Sequence, residues 1–235
     1  MGAAFEKFKE SMGLAFALKT IEREKFTQAR QHNQIFIMGL RGGSAVLMVA
    51  AFEFYLKRLF EEYISKLNTI PPTIDILKLP EKLKVKIVFD SLQNSMNGPK
   101  YVAKTNKVDR IADILAACRL LIGEHINPAT FSETNSNPNG STVKDKFKEV
   151  GIPDIYLNIK SDFETKWGEI VAATFIEDKL NEIVNTRHIV AHTADTLNIT
   201  KKSQNDAIKF LKILAELLEK EMDTHIKNLI RTAKK

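Results

Sequence analysis

Apolar residues recur at helical spacing along most of this chain, and no convincing run alternates with the period of a strand. Residues 4–35 predict one or two helices. The Arg-Gly-Gly run at 41–43 predicts a break, after which Ser44 caps the next helix. That helix, about 44–67, is apolar almost all round in its first half, which predicts a central position in the core.

Later helices are predicted from the same spacing and from their end signals. They cover 81–96, 107–123 (with Ile111, Ile114 and Leu115 facing inward), Thr142–Gly151, the stretch from a capping box at Ser161 and Glu164 to Arg187, and a final helix from Ser203. The pattern therefore predicts one all-α domain over 1–235. Within it, 1–43 is an N-terminal helical extension, 44–230 is the core, and 124–160 is a loop-rich insert.

Composition narrows the class of protein. The chain has 235 residues, of which 44% are hydrophobic, so it can bury a real core. Cys118 is the only cysteine, which excludes an internal disulfide framework and fits a reducing cytoplasm. The longest apolar run, 45–52, is much shorter than a membrane span, and no secretory signal is recognisable. We therefore expect a soluble cytoplasmic protein without a membrane partner; its net charge of +6 permits a nucleic-acid partner.

The candidate chemistry lies in the hexapeptide that runs from Arg187 through His188 to His192. A guanidinium can neutralise a phosphorane, and an imidazole can move a proton near neutral pH. On an ideal helix Arg187 and His192 lie about 140° apart and roughly 7.5 Å along the axis. They share a face only if the helix loosens toward 193–198. His188 and His192, four residues apart, share a face without any distortion.

Two interpretations compete with catalysis by these residues. The His188/His192 spacing suits zinc, with Asp195, His125 or His225 as a third ligand, but Ile189 stands where the zincin motif needs Glu. The other interpretation is purely structural, because arginine and histidine near a helix C-terminus stabilise the helix dipole.

RNA cleavage without a metal is the third interpretation. His192 would remove the proton of a ribose 2′-hydroxyl, and Arg187 would hold the scissile phosphate. The leaving 5′-oxygen needs an acid, either His188 or His192 of a second copy. A site built by two copies across a twofold axis follows naturally from so short a motif.

The residues around the motif favour RNA cleavage over the other two interpretations. The string at 184–192 resembles the Arg-polar-x3-His signature of the HEPN superfamily (higher eukaryotes and prokaryotes nucleotide-binding), with His188 in place of the usual Asn. The apolar run 44–56, which carries Glu53, and the stretch 131–151 with its Asn137-Pro138 are similar to the early helix and the insert of the RiboL-PSP-HEPN branch.

This resemblance implies a four-helix up-and-down core, a homodimer, and a metal-independent endoribonuclease without a cofactor. Such proteins commonly act as toxins or anti-phage effectors, often held in check by an antitoxin or another partner of the defence system. A departure stands at Ala194, where some members have the Tyr that a partner nucleotidyltransferase modifies. A non-catalytic module that binds nucleotide, RNA or protein is the alternative.

Five further residues are candidates for binding the substrate. Glu53 interrupts an apolar run and either orients Arg187 or makes an ordinary ion pair. Asn185 precedes the motif and is otherwise a helix-surface residue. Lys100, Tyr101 and Lys104 combine positive charge with an aromatic ring, which suits an RNA backbone and a stacked base, although a solvated surface has the same composition.

Overall fold

The computed structural model describes residues 2–26, 33–68, 137–196 and 198–233, with single positions 81, 85, 89, 108, 111, 112, 114 and 115. Six helices have their bounds in these residues: α1 (Ala3–Lys25), α2 (Gln34–Asn68), α3 (Gly140–Glu149), α4 (Ile155–Trp167), α5 (Phe175–Thr193) and α6 (Lys201–Ala233). The described residues contain no strand, and the predicted all-α class is confirmed.

The chain groups into two compact units. Unit 1 comprises Met1–Leu56, Thr134–Lys144 and Ile155–Glu221; unit 2 comprises Lys57–Glu133, Asp145–Asp154 and Met222–Lys235. Each of α2, α3 and α6 has residues in both units, so the grouping does not follow element boundaries. Nor does it follow the predicted boundary at 43/44, which falls inside α2.

The predicted chain break at 41–43 is wrong, because α2 runs through it without interruption. Ser44 is not a cap. It is fully buried within α2 and its hydroxyl donates to the Ala15 carbonyl of α1. The two glycines instead allow close packing. A Cβ on Gly43 would lie 3.1 Å from Leu18 Cδ1, and one on Gly42 would lie 2.7 Å from Thr196 Cγ2.

In unit 1, α1 packs against α2, and α2 packs in turn against α6. Phe8 of α1 is fully buried against Phe52 and Tyr55 of α2, with ring centroids 6.3 and 5.3 Å away. The Tyr55 hydroxyl donates to the Ala215 carbonyl of α6 at 2.6 Å. Buried apolar side chains around these contacts form the core, as the nearly all-apolar stretch that follows residue 44 predicts.

An aromatic cluster joins α4, α5 and α6 in unit 1. Phe163 lies within 6.1 Å of the rings of Trp167, Phe175 and Phe210. The predicted start of a helix at Ser161 is wrong, because Ser161 and Glu164 lie inside α4. Glu164 accepts bonds from Lys160 Nζ and from the backbone N–H of Val171, so it holds the turn between α4 and α5.

Residue 203 does not open the last helix either. Helix α6 begins two residues earlier, and Thr200 precedes it. The Thr200 hydroxyl accepts from the Ser203 N–H at 3.0 Å, while the Ser203 hydroxyl accepts from the Thr200 N–H at 2.9 Å. This reciprocal pair of hydrogen bonds is a variant of the capping box in which Ser203 replaces the usual Glu.

In unit 2, the end of α2 packs with α3 and the end of α6. Phe60 and Phe147 meet edge to face at 5.3 Å, and Lys66 pairs with Asp223 at 2.7 Å. Ile111 and Leu115 are about half exposed. Their predicted inward orientation is therefore wrong for these two positions, while the other residues between 116 and 123 lie outside the described part.

By length and composition alone, α2 through Leu67 is apolar enough to cross a membrane. The core helix of a soluble protein has the same properties, and α2 packs against α1 and α6 through Phe52 and Tyr55. The expected absence of a membrane partner stays a prediction.

Candidate active site

The hexapeptide lies in the last two turns of α5, which stays helical beyond His192. The helix ends after Thr193, whose hydroxyl donates to the Ile189 carbonyl at 2.7 Å. Ala194 then adopts a left-handed conformation, φ 56°, and its N–H donates to the Val190 carbonyl. No loosening brings Arg187 toward His192, so the two side chains leave the helix about 140° apart.

His188 and His192 form the predicted pair on one face of α5. Their ring centroids are 4.3 Å apart and both side chains are exposed. Two imidazoles side by side can act as a proton acceptor and a proton donor toward one substrate.

Arg187 is half-buried, and its guanidinium is only partly satisfied. Its Nη1 donates to Asn137 Oδ1 at 3.3 Å. Its Nε is shielded from solvent, and no described residue accepts a hydrogen bond from it. Asn137 thus holds one side of the guanidinium, a planar cation whose donors suit phosphate oxygens.

Asn137 belongs to a short segment that is anchored on α5. Asn139 Oδ1 accepts from the Thr142 N–H at 2.8 Å and so caps α3. The Gly140 N–H donates to Asn181 Oδ1 at 2.8 Å. A Cβ on Gly140 would lie 2.5 Å from Glu177 Cγ, so only glycine allows this approach. The segment thereby holds Asn137 beside Arg187, a contact that the predicted loop-rich insert did not reveal.

The segment after α5 is fixed from the other side by Arg41 of α2. Its guanidinium pairs with Glu22 of α1 at 2.6 Å and donates to the Ile199 carbonyl at 3.0 Å. Thr196 is buried and packs against Gly42. Arg41 and Gly42 belong to the predicted chain break, yet they hold the segment that follows the motif helix α5.

The other predicted site residues are not gathered at the motif. Glu53 is half-buried on α2, and no ion pair joins it to Arg187 in the described part of the chain. Asn185 is exposed on α5, two residues before the hexapeptide begins. The predicted RNA-binding residues Lys100, Tyr101 and Lys104 lie outside the described residues.

The described residues contain no group of three or more His, Cys, Asp and Glu side chains that could hold a metal ion. Two of the possible third zinc ligands are described. Asp195 follows the helix end, and the ring of His225 bonds to the Val150 carbonyl in unit 2. The remaining one, His125, lies outside the described residues.

The described residues form helices without strands, and the Arg-x4-His sequence lies at the end of one of these helices. The family model of RiboL-PSP-HEPN matches residues 14–228. The chain therefore belongs to the RiboL-PSP-HEPN family, and the resemblance drawn from its sequence is confirmed. No curated protein and no solved structure matches the chain.

Proposed function

We propose that this protein is a metal-independent endoribonuclease that leaves 2′,3′-cyclic phosphate and 5′-hydroxyl ends. The observation that carries the proposal is the half-buried Arg187, held by Asn137, on the same helix end as two adjacent exposed imidazoles. These are the groups that transesterification of RNA requires.

The reaction has one bond made and one broken. His192 removes the proton of the ribose 2′-hydroxyl, and the 2′-oxygen attacks phosphorus. Arg187 neutralises the additional charge on the phosphorane. The P–O5′ bond then breaks, and a protonated imidazole gives its proton to the leaving oxygen. His188, or His192 of a second copy, supplies that proton.

Because α5 is regular through the motif, we infer that two copies of the chain contribute residues to one active site. Within one helix, Arg187 and His192 point about 140° apart, so a single phosphate cannot easily contact both. In a homodimer with the two motifs facing each other, the guanidinium of one copy can complete the imidazoles of the other. We therefore extend the proposal to a homodimer with a composite site.

A toxin or anti-phage effector is the role that we propose for such an enzyme. RNA is then its substrate, the cytoplasm its compartment, and an antitoxin or defence protein its regulator. The same 140° separation favours a second candidate, a non-catalytic HEPN module that binds nucleotide, RNA or a protein. The two candidates differ in whether any RNA is cut.

Cleavage in excess EDTA tests the proposal. Purified protein should cut single-stranded RNA with EDTA present, and end analysis should find cyclic phosphates. Arg187→Ala and His192→Ala should each lower the rate at least about a hundredfold. Arg231→Ala, which removes an exposed arginine in the last turn of α6, is the control and should leave the rate unchanged.

Cleavage that survives both substitutions would remove these residues from the mechanism. Binding of RNA without cleavage, together with binding that persists in His192→Ala, would establish the non-catalytic candidate instead.

A further inference from the structure

Three lysines lie around phenylalanine rings where α1 faces α6 in unit 1. Lys212 Nζ of α6 lies 4.1 Å from the ring centroid of Phe16, and Lys19 Nζ of α1 lies 5.8 Å from the same centroid. Lys9 also belongs to α1, with its Nζ 5.5 Å from the Phe5 ring. We call Lys9, Lys19 and Lys212 the lysine patch.

Only one of these three lysines has a carboxylate partner in the described part of the chain. Lys9 pairs with Glu6 at 2.6 Å. Among the described residues, no acidic group lies within ion-pair distance of Lys19 or Lys212. Partial burial, followed by the charges of Lys19 and Lys9, lowers the pKa of Lys212. The patch is thus a place where like charges repel and where an anion would relieve the repulsion.

The lysine patch is connected through the packing to the end of α5. Val190 of α5 packs against Gly42 of α2, and Leu18 of α1 packs against the adjacent Gly43. Lys19 is the next residue after Leu18. On α6, Lys212 follows the first helical residue by eleven positions, about 16 Å along the axis, and that first residue comes after the segment that leaves α5.

We propose that Lys19 and Lys212 form an exosite that binds a phosphodiester of the RNA strand away from the scissile phosphate. This inference rests on the proposed function, because the ligand is the substrate of that activity. Ammonium groups bind phosphates as point charges, without reading the base. The exosite therefore adds affinity for a longer strand and no preference for sequence.

The test compares two charge-matched double variants. Lys19→Gln/Lys212→Gln removes the two charges of the exosite, and Lys7→Gln/Lys227→Gln removes two exposed ones elsewhere. Both are made in a His192→Ala background, so that the RNA stays intact. Binding of a fluorescent single-stranded RNA is measured by anisotropy over a range of salt concentrations.

The exosite variant should bind RNA several-fold more weakly than the control. Its slope of log affinity against log salt should fall by about 0.7 for each phosphate that the protein no longer neutralises. The thermal midpoints of both double variants are measured alongside, so that weaker binding is distinguished from impaired folding.

Equal RNA affinity of the two double variants would overturn the exosite while leaving the proposed function untouched. Weaker binding of polyglutamate together with unchanged RNA binding would also overturn it, in favour of an acidic protein as ligand. Absence of both RNA binding and RNA cleavage in the unaltered protein would instead refute the proposed function.

Discussion

Arg187 is oriented by a residue that the spacing of the motif cannot reveal. The hexapeptide itself predicts correctly that His188 and His192 share a face, because their relation is fixed by helix geometry. Asn137 is 50 residues away in the chain and reaches Arg187 only because its segment is anchored on α5. Local periodicity carries no information about such a contact.

Substitution of Asn137 tests its role in positioning Arg187. Asn137→Ala should lower kcat/KM about tenfold, the effect of losing one hydrogen bond to a charged group. Asn137→Asp should hold the guanidinium but raise KM, because the new carboxylate competes with the substrate phosphate. Steady-state kinetics with RNA separates the two effects.

Asn139→Ala is the matched control for this pair. Its side chain caps α3, so its loss should cost about 1 kcal/mol of stability with a smaller effect on cleavage. Asn137→Ala and Asn139→Ala with the same kinetics would mean that Asn137 acts through the fold alone.

Whole helices follow from the sequence where the apolar spacing is strong, as in α1, the core half of α2 and α6. The errors lie where a local signal is outweighed by packing. Two adjacent glycines each disfavour a helix by about 1 kcal/mol, which predicts a break. In α2 the close approach of Leu18 and Thr196 provides the contacts that offset this cost.

The glycines of α2 therefore predict opposite effects of the same substitution. Gly42→Ala should destabilise the protein by about 1–3 kcal/mol, because the new methyl group overlaps the buried Thr196. Gly39→Ala meets nothing within 4 Å and should stabilise the helix by roughly 0.8 kcal/mol. Chemical denaturation of both variants measures the difference, and a stabilising Gly42→Ala would contradict the close packing.

At the scale of the whole molecule, the helical class and the family could be read from the sequence. The grouping of the chain into two units could not, because it depends on contacts between distant segments of the same long helices. The proposed assembly of a site from two copies depends on an interface, and the sequence suggests it only through the shortness of the motif. No periodicity within one chain encodes it.

Mixing inactive variants tests the composite site. When Arg187→Ala and His192→Ala proteins exchange subunits, half of the dimers become mixed. If each site takes Arg187 from one copy and His192 from the other, every mixed dimer has one intact site. The mixture should then regain about a quarter of the original cleavage rate. A mixture that stays as inactive as its components would show that both residues act from the same copy.

The unbroken course of α5 through His192 has a further consequence for dosage. If one polypeptide cannot present its arginine and its histidine to the same linkage, only dimers cleave. At low protein concentration the total rate of RNA cleavage should then rise with the square of that concentration. Leaky expression would then leave a cell unharmed, while a modest increase in synthesis would carry it across a sharp threshold. The geometry of α5 would thus limit cleavage at low protein concentration even when no inhibitor is bound.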